Sequence, residues 1–419
     1  MKEGIDADNF ASWLARATEC RNLVFQALDL TPHDEFIAAL PQAASSSDGC
    51  LFLGCKLGKA LSQVAIDSHG LIFPEWTGRP YAPFRSSFYA ADELFAGFTP
   101  DEPESYRKTP DWLSYVSYIK VGANNKPLRP TQYVEVGPDE VLARRLHDHF
   151  MEEETDEFLR PFGASGGAGV VAVMGGHNRL RSDKVYTQVA RIARTLTREG
   201  YLIVSGGGPG LMEAANLGAY FAAWEDESVL ISAIDRLKDA DRYDHPKWLA
   251  VAWQVWKSNP TPDVSKSRSL GIPTWFYGHE PPNVFATHIA KYFENSLREE
   301  GLLAIANDGV IFAEGNAGTV QEIFQDACQN YYTNYEIKSP MILFGEDFWN
   351  PPPDGSLKLG AKPAWKLLEA LATEGPFEQR FRDLMLLTSD PDQLLKFIRG
   401  FTAARHASEN KLTVKAVDA

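Results

Sequence analysis

Between residues 168 and 348, short continuous apolar runs alternate with stretches of helical period. The runs GVVAVMGG, YLIVSGGG, SVLISAI, GIPTWFYG, DGVIFAE and SPMILFG predict strands. The segments KVYTQVARIARTLTREG, GLMEAANLGAYFAAW, NVFATHIAKYFENSLREEGLLAIA and GTVQEIFQDACQNYY predict helices, with an irregular Trp-rich insert after SVLISAI. Strands that are apolar at every position belong to parallel sheets covered on both faces. The alternation predicts an α/β fold, a doubly wound, Rossmann-like parallel sheet with its ligand at the carboxyl ends of the strands.

The flanks are organised differently. RPFGASGGAG, residues 160–169, is a small-residue stretch without apolar period and reads as a boundary. Before it, GPDEVLARRLHDHFMEEETDEFLR predicts a long helix with Pro138 in its first turn and a solvated acidic far half. Further upstream, CLFLGCKLG is a strand leading into a glycine turn. GLIFPE at 70–75 echoes GVIFAE at 309–314; chance similarity of two buried strands is the simpler explanation, and a degenerate second α/β unit without its phosphate turn the sharper one. The expected organisation is an N-terminal α/β domain over 1–160, a nucleotide-binding domain over 168–350, and a mainly helical C-terminal extension over 351–419.

Composition narrows the function classes. At 419 residues with 44% hydrophobic positions the chain can build more than one core. Its net charge of −15 argues against a broad grip on nucleic acid, so an anionic ligand needs a local site. The start, MKEGIDADNFASWLARATEC, lacks the basic and apolar regions of a signal peptide, and no run approaches the roughly 20 apolar residues of a membrane span. Cys20, Cys50, Cys55 and Cys328 form neither a disulfide framework nor a CxxC zinc pair. The expectation is a cytoplasmic protein with reduced thiols, no metal, no cofactor, and no nucleic-acid or membrane partner.

Two glycine turns carry the candidate chemistry, VSGGGPGLMEAANLGA, with Gly206, Gly207, Gly208 and Gly210, and EGNAGTVQE, running from Glu314 to Glu322. Glycines admit a ligand close to the backbone, while the N–H groups and dipole of the following helix favour an anion. Thr319 adds a hydroxyl. Two such turns on successive units suggest a ligand of nucleotide size. A dinucleotide fingerprint would also need an acid at the carboxyl end of the next strand. Glu225, Asp226 and Glu227 precede SVLISAI, and Asp235 follows it late, which disfavours that reading.

SGGGPGLMEAANLGA followed by EGNAGTVQE resembles the LOG (Lonely Guy) family, whose pattern is GGGxxGxMEAANxGA and then PGGxGTxxE. The resemblance covers roughly residues 168–348 and implies a phosphoribohydrolase that cleaves the N-glycosidic bond of a nucleoside 5′-monophosphate to free base and ribose 5-phosphate. It implies catalytic roles for Glu322 and Arg298, and a phosphate and ribose cradle of Gly206, Gly207, Gly208, Gly210, Gly315, Asn316, Gly318 and Thr319, with Glu213 lining the pocket. It also implies a homo-oligomer, dimer or higher. Glu314 stands where the family has Pro and Asn316 where it has Gly, a change that Asn tolerates in left-handed backbone. Arg298 falls at the family's Arg only with a one-residue shift, and Glu299 replaces its Lys. The alternative function is a nucleotide sensor without turnover.

Each residue also has a purely structural reading. Glu322 and Glu213 lie in first helical turns, where the dipole favours acids. Arg298 sits among acids that could form surface pairs, and Asn316 is a turn former. Trp248, Trp253, Trp256, Trp275 and Tyr277 could stack a base but at this density predict core. Arg179, Arg181, Lys184, Lys266 and Arg268 could clamp phosphate; solvated loop charge is the simpler expectation. His147 and His149 fall on different helix faces, while His177 follows VMGG at a strand end.

Overall fold

The computed structural model describes residues 3–122, 128, 133–162, 168–275, 281–332, 338–352, 360–372 and 381–417, with side chains to residue 408. It comprises two compact units, one of Met1–Phe88 with Glu135–Glu154 and one of Tyr89–Val134 with Thr155–Ala419. Among the described residues no helix is long and apolar enough to cross a membrane.

The first unit carries a four-stranded parallel sheet in the order β1 (Glu3–Ile5), β2 (Leu23–Gln26), β3 (Leu51–Leu53), β4 (Leu71–Phe73). Trp13, Phe25 and Phe52 fill one core, with Phe25 and Phe52 stacked at 5.1 Å. A second cluster, Leu53, Phe84 and Phe150, draws on the helix Pro138–Leu159, which begins at the proline as expected. Arg79 ties the start of that helix down, with Nε 2.6 Å from Glu140. GLIFPE is therefore strand β4 of a parallel α/β unit.

The glycine turn after β3 is closed by the protein's own acid. Asp34 accepts from Ala60 N at 3.1 Å and Leu61 N at 3.0 Å, capping the helix Lys59–Asp67. The carboxylate thereby occupies the place where a phosphate would bind. Asp34→Ala is expected to cost about 1 kcal/mol, read as faster hydrogen exchange of the amides in that helix.

The second unit contains a seven-stranded, wholly parallel sheet in the order β11-β10-β9-β5-β6-β7-β8. The strands are β5 (Val170–Met174), β6 (Leu202–Ser205), β7 (Ser269–Gly271), β8 (His288–Ile289), β9 (Gly309–Phe312), β10 (Met341–Phe344) and β11 (Met385–Thr388). β5, β6, β9 and β10 are buried at every position, which is why they read as unbroken apolar runs. This is the doubly wound α/β fold that the pattern predicts.

Three elements differ from expectation. SVLISAI is helical, as part of Ser228–Leu237. Its buried positions Leu230, Ala233, Ile234 and Leu237 keep helical spacing, which the shorter window hid. NVFATHIAKYFENSLREEGLLAIA contains β8 and only the helix Asn295–Ala304. Most of its first half is buried, apart from the half-buried Thr287, His288 and Glu294, so burial there does not follow one helical face. In GIPTWFYG the strand β7 ends at Gly271, while Phe276, Tyr277 and Gly278 lie outside the described residues. The C-terminal segment supplies the edge strand β11 before its long helix Pro391–Val417.

Candidate functional site

The strand order reverses between β5 and β9: connections from β5 lead outward through β6 to β8, and those from β9 lead outward on the other side. In open parallel sheets the ligand crevice lies at the carboxyl ends of the strands flanking such a point. Turns after β5, β6 and β9 meet there. Gly176 N donates to Glu314 O at 3.0 Å, and Leu211 N to Gly176 O at 3.3 Å.

The glycines are required by close approach. Gly210 has φ 67°, and a Cβ on it would stand 2.3 Å from Gly176 O. A Cβ on Gly315 would stand 2.1 Å from Thr319 Oγ1, so Gly315 lets the buried threonine fold back beneath the turn. Gly318 faces open space and Asn316 is exposed, leaving that rim accessible. Asn316 does not have positive φ. The turn therefore accepts Asn without drawing on its left-handed tolerance, contrary to expectation.

A polar network fixes the β6 turn. Ser205 Oγ donates to Asn216 Oδ1 at 2.8 Å and accepts from Gly207 N at 3.1 Å. Asn283, buried ahead of β8, donates through Nδ2 to Gly208 O at 3.1 Å and Asn216 Oδ1 at 2.9 Å. Asn283 had no sequence signal, because a helix was expected to begin there.

Glu322 and Arg298 come together. Glu322 lies one turn into the helix Ala317–Tyr332, with Oε1 3.9 Å from Arg298 Nη1. Arg298 is held by Asn295 Oδ1 at 2.9 Å, and its Nε is buried without a hydrogen-bond partner among the described residues. The same Nη1 would be 3.6 Å from a Cβ on Gly206. One guanidinium thus stands beside both glycine turns. Glu299 is engaged by Gln321 Nε2 at 3.0 Å, with its Oε1 3.9 Å from Arg298.

Burial pushes the Glu322 carboxyl up to about 7, with Arg298 opposing and Glu299 adding to the shift. The folded state therefore binds this proton more tightly than an ordinary carboxyl at 4.5 does, and stability present below 4.5 is lost as pH rises to about 7. At pH 8, Glu322→Gln is expected to be more stable than the parent by on the order of 3 kcal/mol, with the difference vanishing near pH 4. Urea unfolding at the two pH values measures it.

The other two acids have partners of their own. Glu314, 5% exposed, pairs with Arg179 at 2.9 Å, and the Arg179 guanidinium lies 5.3 Å from the centre of the Phe348 ring. Glu213 is fully buried. It receives Arg181 Nε at 2.8 Å, Arg181 Nη2 at 2.6 Å and the Tyr186 hydroxyl at 2.9 Å. Arg181 is thus a buried clamp that also donates to Ala240 O at 2.9 Å, and it is not a solvated loop charge. Glu213 is committed to this pair.

The tryptophans and histidines make packing and pairing contacts. Trp248 covers Arg181 at 4.8 Å, and Trp275 packs on Phe293 at 4.5 Å. Lys257 lies over Trp256, and Trp253 packs against Phe95 and Phe98. His177 meets Tyr243 edge to face at 5.4 Å. His147 is buried beside Asp148, whereas His149 is exposed beside Glu153. Among the described residues no group of three or more His, Cys, Asp or Glu side chains could hold a metal.

Fold and turns together define a doubly wound α/β protein with paired glycine turns at the carboxyl edge of its sheet. No family model and no curated protein matches the chain. Among solved structures, the X-ray structure of TM1055, a Northeast Structural Genomics Consortium target, is similar at a TM-score of 0.34 and 16% identity, over 55% of this chain and 98% of that one.

Proposed function

We propose that the second unit binds a nucleoside 5′-monophosphate across the turns after β6 and β9 and hydrolyses its N-glycosidic bond, releasing base and ribose 5-phosphate. The observation that carries this reading is the single guanidinium, Arg298, beside both Gly206 and Glu322. Phosphate is cradled by the backbone of Gly206, Gly207, Gly208 and Gly210 and by Gly315, Asn316, Gly318 and Thr319, with Arg298 supplying charge. Glu322, half-buried, faces the ribose. When ionised it stabilises the positive charge that builds on the sugar as the bond to the base breaks, and it orients the attacking water.

Glu314 is compatible with an anionic ligand because Arg179 neutralises it. The family that the sequence resembles acts as a homo-oligomer, and the same assembly is proposed here. A melting-temperature panel tests the binding half of the reading: nucleoside 5′-monophosphates and ribose 5-phosphate should stabilise the protein, and the corresponding nucleosides should not. Equal shifts with nucleoside and nucleotide would remove the phosphate cradle from the account.

A further inference from the structure

We propose that Cys20 and Cys50 form a reversible disulfide when the protein meets hydrogen peroxide, making the first unit a site of oxidative modification. The two sulfurs lie 3.8 Å apart in the core of that unit, with no disulfide between them. A disulfide needs about 2 Å between sulfurs, so the change is a local closure between two thiols already in contact. Both thiols sit at the ends of regular structure. Cys20 lies between the helix Phe10–Arg16 and β2, held by a hydrogen bond from its N to Pro41 O at 2.9 Å. Cys50 immediately precedes β3, after the sequence SSSDG.

A second observation is a cavity lined by the chain neighbours of both thiols, though by neither thiol itself. It has a volume of about 730 Å³ and is lined by Thr18, Glu19, Arg21 and Asn22, the residues around Cys20, and by Asp48, two residues before Cys50. The thiols themselves are buried, so reaction proceeds through local opening of this wall. Cys55, in the same core, donates its thiol to Phe25 O at 3.3 Å and has no sulfur partner among the described residues.

The hydrogen bond with Cys50 and burial hold the Cys20 thiol above the usual thiol range, so in the first step local opening exposes one thiol, which ionises and attacks the peroxide as the thiolate. A sulfur–oxygen bond forms, the oxygen–oxygen bond breaks, and the leaving oxygen departs as water after protonation. The second thiol then attacks the sulfenic sulfur, forming the sulfur–sulfur bond and releasing a second water. The sulfur pair loses two electrons and the hydrogen peroxide gains them.

The test treats the full chain carrying Cys328→Ser, which removes the exposed thiol, with hydrogen peroxide under native conditions. Remaining thiols are then alkylated and peptides mapped without reduction. The expected result is a Cys20–Cys50 linked peptide that has lost the mass of two hydrogens, an unmodified Cys55, and a melting temperature that rises and returns on reduction. The proposal is overturned if Cys20 and Cys50 stay alkylatable, if they oxidise singly to sulfinic acid, or if the link appears only in denaturant.

Discussion

Glu322→Gln is expected to slow base release from the preferred nucleoside 5′-monophosphate by about 10³-fold, within the usual range for removing a catalytic acid or base, while nucleotide binding changes only a few-fold. The amide keeps the size of the side chain and can still meet ribose hydroxyls. It cannot carry the negative charge that the developing sugar cation requires. Because burial sets this carboxyl at about 7, and the reaction uses its ionised form, the parent's rate should rise with pH to a plateau above 7. The glutamine variant should lose that rise. Single-turnover release of base, with calorimetric binding alongside, measures both; an undiminished rate in the variant would remove Glu322 from the chemistry.

The largest loss of stability is expected at Arg181. Arg181→Met leaves Glu213 fully buried with only the Tyr186 hydroxyl of its three donated hydrogen bonds. An uncompensated buried charge of this kind costs about 3–5 kcal/mol. Replacing both partners, Arg181→Met with Glu213→Leu, should cost less than Arg181→Met alone, because no orphaned charge remains. Urea unfolding followed by tryptophan fluorescence reads the change, and Trp248 over the guanidinium reports on the site. A double variant less stable than the sum of the two single variants would contradict this account of Glu213 and point to a role for it beyond the pair.

Much of this was legible along the chain. β5, β6, β9 and β10 are buried on both faces, so their sequences show no polar interruption, and the glycine turns announce themselves by composition. Ser228–Leu237 was misread because its apolar positions cluster in the first seven residues and mimic a strand. β8 is two residues long and takes its identity from pairing with β7, which no local pattern encodes. At the site, residue types were visible but partners were not. Arg181 and Glu213 are 32 residues apart and join only in the folded sheet. Glu314 stands where the family pattern has Pro, and only the pairing of β5 with β9 brings Arg179 to it. Asp34 likewise closes the glycine turn after β3 by accepting from an amide 26 residues downstream, a pairing that no local pattern encodes.

Turnover at the crevice beside β9 is read out by product analysis. The purified 419-residue chain is incubated with a panel of nucleoside 5′-monophosphates at pH 8, where Glu322 is mostly ionised, and free base and ribose 5-phosphate are quantified by chromatography. Release of the two products in equal amounts from at least one nucleotide, absent with Glu322→Gln, is the predicted result. Tight binding of a nucleotide with no release of base from any of them would contradict it and make the protein a nucleotide sensor.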